Sequence, residues 1–183
     1  MFVRVVPLGI VHENVLNTAS TALREMFGAR CKLFTGIPVP QDSLNKWRNQ
    51  HDAELILSKI EDDPSVKYID KTIPTLLLTE EDLFYKAMNF IFGIEEPERG
   101  ICLLSLARLR PEFYDQKANP LVLKERVEKE AIHSIGHYLG LKHCRYGWCV
   151  MSPSASVNDI DKKRKQFCRN CEIKLTMQGI RLE

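Results

Sequence analysis

The segment Glu130-Ala131-Ile132-His133-Ser134-Ile135-Gly136-His137-Tyr138-Leu139-Gly140-Leu141-Lys142-His143 decides how this chain is read. It closes a long helical stretch. Asn119 is a good capping residue, Pro120 suits the first helical position, and the helix is expected over Leu121 to Leu139. His133 and His137 are four apart, so a helix stacks them on one face within reach of one ion. Gly140 can end the helix with positive φ and turn the chain back, letting His143 approach from a third side. Three neutral imidazoles with one open position form a catalytic-type zinc arrangement. The chain holds 5 histidines, and chance alone places two more at these offsets from His133 on the order of once in a thousand. The spacing is therefore read as a metal site. His12 and His51 lack such company and read as ordinary surface or capping histidines.

Cys144, Cys149, Cys168 and Cys171 follow at once, spaced C-x4-C and C-x2-C. Two such pairs suit tetrahedral zinc on four thiolates, a closed sphere and hence a structural ion. The residues after Leu139 are poor in large apolar side chains, and a metal can stand in for a core. Because Cys144 directly follows His143, this ion should brace the third histidine. Disulfides are the alternative, disfavoured where thiols stay reduced. Cys31 and Cys102 stand alone in apolar surroundings and read as buried structural thiols.

Upstream, strands alternate with helices. Phe2 to Val6 reads as a strand ending at Pro7, Val15 to Phe27 as a helix stopped by Gly28, and Arg30 to Ile37 as a second strand. Leu44 to Ile60 reads as helical and Ile73 to Leu78 as a buried strand. Thr79-Glu80-Glu81-Asp82 resembles a helix N-terminus. Phe90 to Phe92 and Ile101 to Leu109 read as strands, antiparallel neighbours, and residues 110–118 as a polar connection. The expected fold is α/β: a mixed twisted sheet with flanking helices, a long helix carrying the histidines, and a small zinc-bound C-terminal part. One domain over 1–183 is expected, divided into 1–139 and 140–183.

Composition excludes several functions. Of 183 residues 44% are hydrophobic and 27% charged, which supports a packed core rather than disorder. The formal charge is +2, so no global basic field points to nucleic acid. Lys162-Lys163-Arg164-Lys165 reads as a solvated face. The longest charge-free run, Tyr146 to Asn158, is 13 residues and too short to span a bilayer. No secretory signal is visible over residues 1–20, so a cytoplasmic location is expected, with no membrane partner.

The pattern H-x-x-x-H-x-x-G-x-x-H followed by Met151 resembles the metzincin signature. The continuation Cys144-x4-Cys149-x-Met151-x16-Cys168-x2-Cys171 resembles, more narrowly, the archaemetzincin family, as do Met88 to Gly93 and Leu104 to Leu109. The resemblance implies a zinc metallopeptidase with two zinc ions per chain, in which a zinc-bound water attacks a peptide carbonyl of a peptide or protein substrate. It implies that Met151 is the Met-turn residue beneath the zinc ligands. It also implies a cleft between the sheet and the C-terminal part, with an extended peptide paired to a sheet edge within residues 101–109.

One position departs from the pattern. Metzincins carry Glu immediately after the first histidine, as the group that moves protons between water and leaving amine. This chain has Ser134 there, and a Ser hydroxyl is no equivalent base near neutral pH. Losing such a group typically costs about 10²–10⁴ in rate, so an inactive or impaired peptidase is expected, with a non-catalytic zinc-stabilised peptide-binding module as the alternative. Glu130, one turn before Ser134, is a candidate substitute; its ordinary role would be a surface ion pair or a contact to the loop beneath.

Overall fold

The computed structural model describes residues 1–60, 63 and 70–183. Its frame is a five-stranded sheet in the order β2-β1-β5-β8-β7. The strands are β1 (Phe2–Leu8), β2 (Arg30–Leu33), β5 (Thr75–Thr79), β7 (Gly93–Glu96) and β8 (Ile101–Ser105). All pairings are parallel except β7 with β8, which is antiparallel and leaves β7 at the edge among the described residues. The side-chain period of two divides the sheet into two buried faces. Val3, Val5, Leu76, Leu78, Cys102 and Leu104 face helices α1 (Glu13–Phe27) and α3 (Pro120–Tyr138). Val6, Leu8, Leu77, Ile101 and Leu103 face α2 (Ala53–Ile60). The mixed sheet with flanking helices matches the expected class.

The local signals explain most boundaries. His12 is the N-cap of α1, accepting from the Asn14 N–H, and Gly28 ends that helix in the left-handed region. Asn119 caps α3 by accepting from the Leu121 and Val122 N–H groups, a contribution of about 1 kcal/mol. At the other end of α3, Gly140 has φ +82°. The Leu141 N–H reaches back to the Gly136 carbonyl and the Gly140 N–H to the His137 carbonyl, a Schellman closure.

Six sequence expectations need correction. β1 runs through Pro7 to Leu8, because the missing N–H of Pro7 points to the side where β2 has ended; its carbonyl still accepts from Ile37. For the same reason β2 is four residues, and Ile37 makes only an isolated bridge to Leu8. The segment Leu44 to Ile60 is helical only from Ala53. The Asn45 side chain accepts from the Trp47 and Arg48 N–H groups, Asn49 adopts φ 51°, and the chain turns from β3 (Leu44–Asn45) into β4 (Gln50–Asp52) before Asp52 caps α2. Thr79 does accept from the Glu81 N–H, yet no helix follows. Arg108 holds the Asp82 carboxylate and the His51 N–H takes the Asp82 carbonyl, which draws the chain into β6 (Leu83–Phe84), third strand of a small sheet ordered β3-β4-β6. Finally, the strand expected at Phe90 to Phe92 begins at Gly93, and residues 107–109 form a 3-10 turn.

Two short helices, α4 (Val157–Lys162) and α5 (Arg169–Met177), complete the chain. Val150, Met151, Ile160, Phe167 and Leu175 from this region join the core between the sheet, α1 and α3. Among the described residues no helix is long and apolar enough to cross a membrane.

Candidate metal centre and active-site cavity

The face of α3 that follows Val127, Ala131 and Ile135 is anchored in the core, and this fixes where His133 and His137 point. Their Nε2 atoms lie 3.1 Å apart. Each Nδ1 meets a backbone carbonyl, His133 with Val150 O and His137 with Leu141 O, both at 2.8 Å. A ring that donates its Nδ1–H to a carbonyl presents Nε2 as a lone pair. Two facing lone pairs at this distance repel unless a cation lies between them. The chain turned back at Gly140 supplies His143, and one nitrogen from each of the three rings lies within 4.8 Å of the others. Zinc–nitrogen bonds of about 2.0–2.1 Å at a tetrahedral angle set nitrogens about 3.3 Å apart, so the donor set fits a zinc ion. Burial lowers all three imidazole pKa values. At His133 the Lys163 ammonium adds to this, and at His137 the His143 ring does. The rings are thereby kept neutral, the form that binds metal.

Exposure rises along the set: His133 is buried, His137 intermediate and His143 exposed. The opening leads into a cavity of about 710 Å³ lined on one side by residues 87–93 and on the other by Pro153 to Ala155. Among the described residues, Ser154 Oγ is enclosed there without a hydrogen-bond partner.

The four cysteines form the second cluster, behind the first. Cys144 and Cys149 come from the loop after α3; Cys168 caps α5 and Cys171 sits in its first turn. Cys144 and Cys168 Sγ lie 3.6 Å apart and Cys149 and Cys171 Sγ 3.9 Å, with all four sulfurs within 4.8 Å of one another. Those distances are far beyond a disulfide, and they match the edge of about 3.8 Å of a tetrahedron with metal–sulfur bonds of about 2.3 Å. Burial pushes the Cys149 thiol up to about 11 and Cys171 higher still. Against burial, hydrogen bonds from its neighbours hold Cys168 below the usual thiol range. A cation would deprotonate the set. Cys102 is fully buried as expected, whereas Cys31 is only half-buried.

Met151 is buried against α3 at Gly136, the residue before His137. Its Sδ packs so closely on Gly136 that a Cβ there would collide with it. Gly136 is thus the helix residue that lets the methionine approach between the two histidine turns, a role the spacing alone did not reveal.

Ser134 is buried against the sheet, and its Oγ donates to Glu95 Oε1 at 2.7 Å. Glu95 comes from β7 and was not singled out from the sequence. Glu130 is not at the surface. It is buried and paired with Lys163 Nζ at 3.1 Å, and both side chains are nearly inaccessible. The basic run therefore does not form one solvated face: Lys163 turns inward, Lys165 contacts Glu25 and Glu128, and Lys162 and Arg164 stay exposed. His51 also departs from expectation, being buried with Nδ1 2.7 Å from Ser43 Oγ. The peptide edge expected within residues 101–109 is displaced: β8 is flanked by β5 and β7, so the free edge beside the cavity belongs to β7.

Residues 12–177 match the family model described as Peptidase family M54. The archaemetzincin of Methanocaldococcus jannaschii is 41% identical over 174 residues, covering 95% of this chain and 92% of that protein. Among solved structures, archaemetzincin from Archaeoglobus fulgidus complexed with malonate superposes with a TM-score of 0.79 at 33% identity, covering 95% of this chain and 99% of that one. A zinc-dependent peptidase from Methanocorpusculum labreanum gives 0.82 at 27% identity, covering 94% and 99%. With its helix, turn and both ligand clusters arranged as described, the chain belongs to peptidase family M54, the zinc metalloproteases called archaemetzincins.

Proposed function

We propose that this chain is a cytoplasmic two-zinc peptidase acting on extended peptide or protein segments, with turnover impaired by Ser134. His133, His137 and His143 hold the catalytic ion and Cys144, Cys149, Cys168 and Cys171 the structural one. In this reading residues 1–139 supply sheet and active-site helix, and residues 140–183 are the zinc-stabilised part of the same domain. The observation that carries the proposal is the convergence of three neutral imidazoles, two with Nε2 pointed inward by carbonyl-held Nδ1 atoms, on an open cavity. A zinc ion bound there supplies Lewis-acid polarisation of a peptide carbonyl and a water of lowered pKa.

The chain's own residues do the rest. The carbonyls of Val150 and Leu141 hold two rings in one tautomer. Met151 supports the helix from below through Gly136. The free edge of β7 offers backbone groups to an extended peptide, which aligns a scissile bond along the cavity floor. Ser134 contributes no proton acceptor of its own, and its hydroxyl is spent on Glu95.

Metal analysis tests the assignment. Two zinc ions are expected per chain, one lost in His137→Ala and the other in Cys168→Ser, together with slow zinc-dependent cleavage of an unstructured peptide by the parent. A second reading, a peptide-binding module without turnover, is favoured by Ser134. Zinc-dependent binding of a peptide that is never cleaved would establish it.

A further inference from the structure

The carboxylate absent from helix position 134 has a counterpart on the neighbouring strand. Gly93 and Glu95 share one face of β7, the face toward α3, while Ile94 points to the opposite core. Glu95 pairs with Cys102 across the strands, and the Cys102 thiol in turn reaches the Ser134 carbonyl at 3.6 Å. Strand and helix thus meet at one point, where Ser134 Oγ donates to Glu95 Oε1. Glu95, Ser134, His133, His137 and His143 line the same cavity. Among the described residues Ser134 is the only hydrogen-bond partner of the Glu95 side chain, so Oε2 is uncommitted. Gly93 lets β7 lie close on β8 beside this contact, for a Cβ at that position would stand 2.9 Å from the Leu103 carbonyl oxygen.

We propose that Glu95 is the proton-transfer carboxylate of this chain, delivered by β7 and steered by Ser134 into the place that a helix glutamate holds in the usual pattern. The proposal rests on the peptidase reading above. In it, Glu95 takes a proton from the attacking water as the new oxygen–carbon bond forms. It returns that proton to the amine nitrogen as the carbon–nitrogen bond breaks. One water is consumed, one acid and one amine are released, and Glu95 ends as it began. Its environment suits the task. Burial raises its carboxyl to about 7, with the Ser134 hydrogen bond opposing, Glu130 adding and Lys163 opposing. A base works best when its pKa lies near the operating pH. Glu130 itself is committed to Lys163 and cannot serve.

The test uses zinc-loaded full-length chain and a library of unstructured fluorogenic peptides. Glu95→Gln should lower kcat/KM by at least about 10²-fold with zinc content unchanged, and Glu95→Asp should retain more turnover than Glu95→Gln. A readout independent of turnover comes from melting. Ser134→Glu alone brings two carboxylates into contact in an enclosed site and should lower the Tm by several degrees, and adding Glu95→Gln should restore it and return a carboxylate to the helix. Undiminished cleavage by Glu95→Gln would overturn the role of Glu95 while leaving the peptidase reading intact. Ser134→Glu melting like the parent would overturn the contact itself. Cleavage by the double variant beside a silent parent would show that Glu95 does not act in place. Silence from every form would remove both the proposal and the reading on which it rests.

Discussion

The histidine cluster and the cysteine cluster sit back to back, joined at the His143–Cys144 peptide bond, and differ in what surrounds them. Two of the histidines occupy the last turns of a 19-residue helix held in the core, the third follows the turn at Gly140, and their free side opens to a cavity. The cysteines tie a loop to a 9-residue helix, and three of the four are buried. The first is positioned by the packing of α3; the second ties together a loop and a helix that also send Val150, Met151, Phe167 and Leu175 into that core. In the two-zinc reading proposed above, the open cluster would hold the ion that exchanges ligands and the enclosed cluster the ion that does not.

In that reading the largest expected effect falls on the cysteine side. Cys168→Ser should abolish or severely lower the thermal transition, because zinc affinity at a four-thiolate site is also folding free energy, about 10–16 kcal/mol in small zinc domains. His137→Ala should leave the melt much closer to that of the parent, and chelator should empty the histidine site first. Unfolding on loss of the first equivalent would erase the distinction between the two sites.

Lys163 links the regions, reaching from the C-terminal part to Glu130 under the histidine helix. Lys163→Met strands a buried carboxylate and should cost about 3–5 kcal/mol in urea denaturation. A loss under 1 kcal/mol would mean that the two regions are coupled by the cysteine site alone.

Next comes a pH effect confined to the histidine side. Glu95 is expected to titrate at about 7 in the folded chain against 4.5 when unfolded. The folded state then binds more protons between these values, so stability falls as pH rises from about 4.5 to 7 and no further above. With the histidine site stripped, Glu95→Gln should remove this slope, on the order of 3 kcal/mol at ~1.4 per unit. Equilibrium unfolding of both forms at pH 5 and pH 8 gives the comparison, with Ser134, Glu130 and Lys163 unchanged beside the site.

The smallest effect concerns Gly136. Alanine is the better helix former, yet its Cβ would drive Met151 away. Gly136→Ala should destabilise by about 1–3 kcal/mol, as overpacking does, and weaken zinc retention at the histidines more than at the cysteines in a competition assay.

Both ligand sets were legible because their geometry is local. A four-residue interval on a helix, a glycine at the turn and two cysteine pairs fix relative positions within a few residues, whatever the rest of the chain does. Helix α1 with its Gly28 stop and α3 with its Asn119 cap were legible for the same reason. Leu44 to Ile60 misled because its apolar spacing fits a helix, while the Asn45 side chain competes for the backbone N–H groups of the next residues.

The sequence by itself determined the helix, the turn, both donor sets and the absence of a carboxylate at position 134. Tertiary structure alone decided what stands opposite that absence. Glu95 lies 39 residues from Ser134 and Lys163 lies 33 from Glu130, on elements whose faces are set by strand register and core packing. An acid in an edge strand and a lysine in a basic run look like solvent-facing charges in the sequence. They become site residues only because β7 pairs antiparallel with β8 beside α3, and because the Cys149–Cys171 loop folds back under that helix. Proximity across such distances is a property of packed layers, and no short-range pattern encodes it.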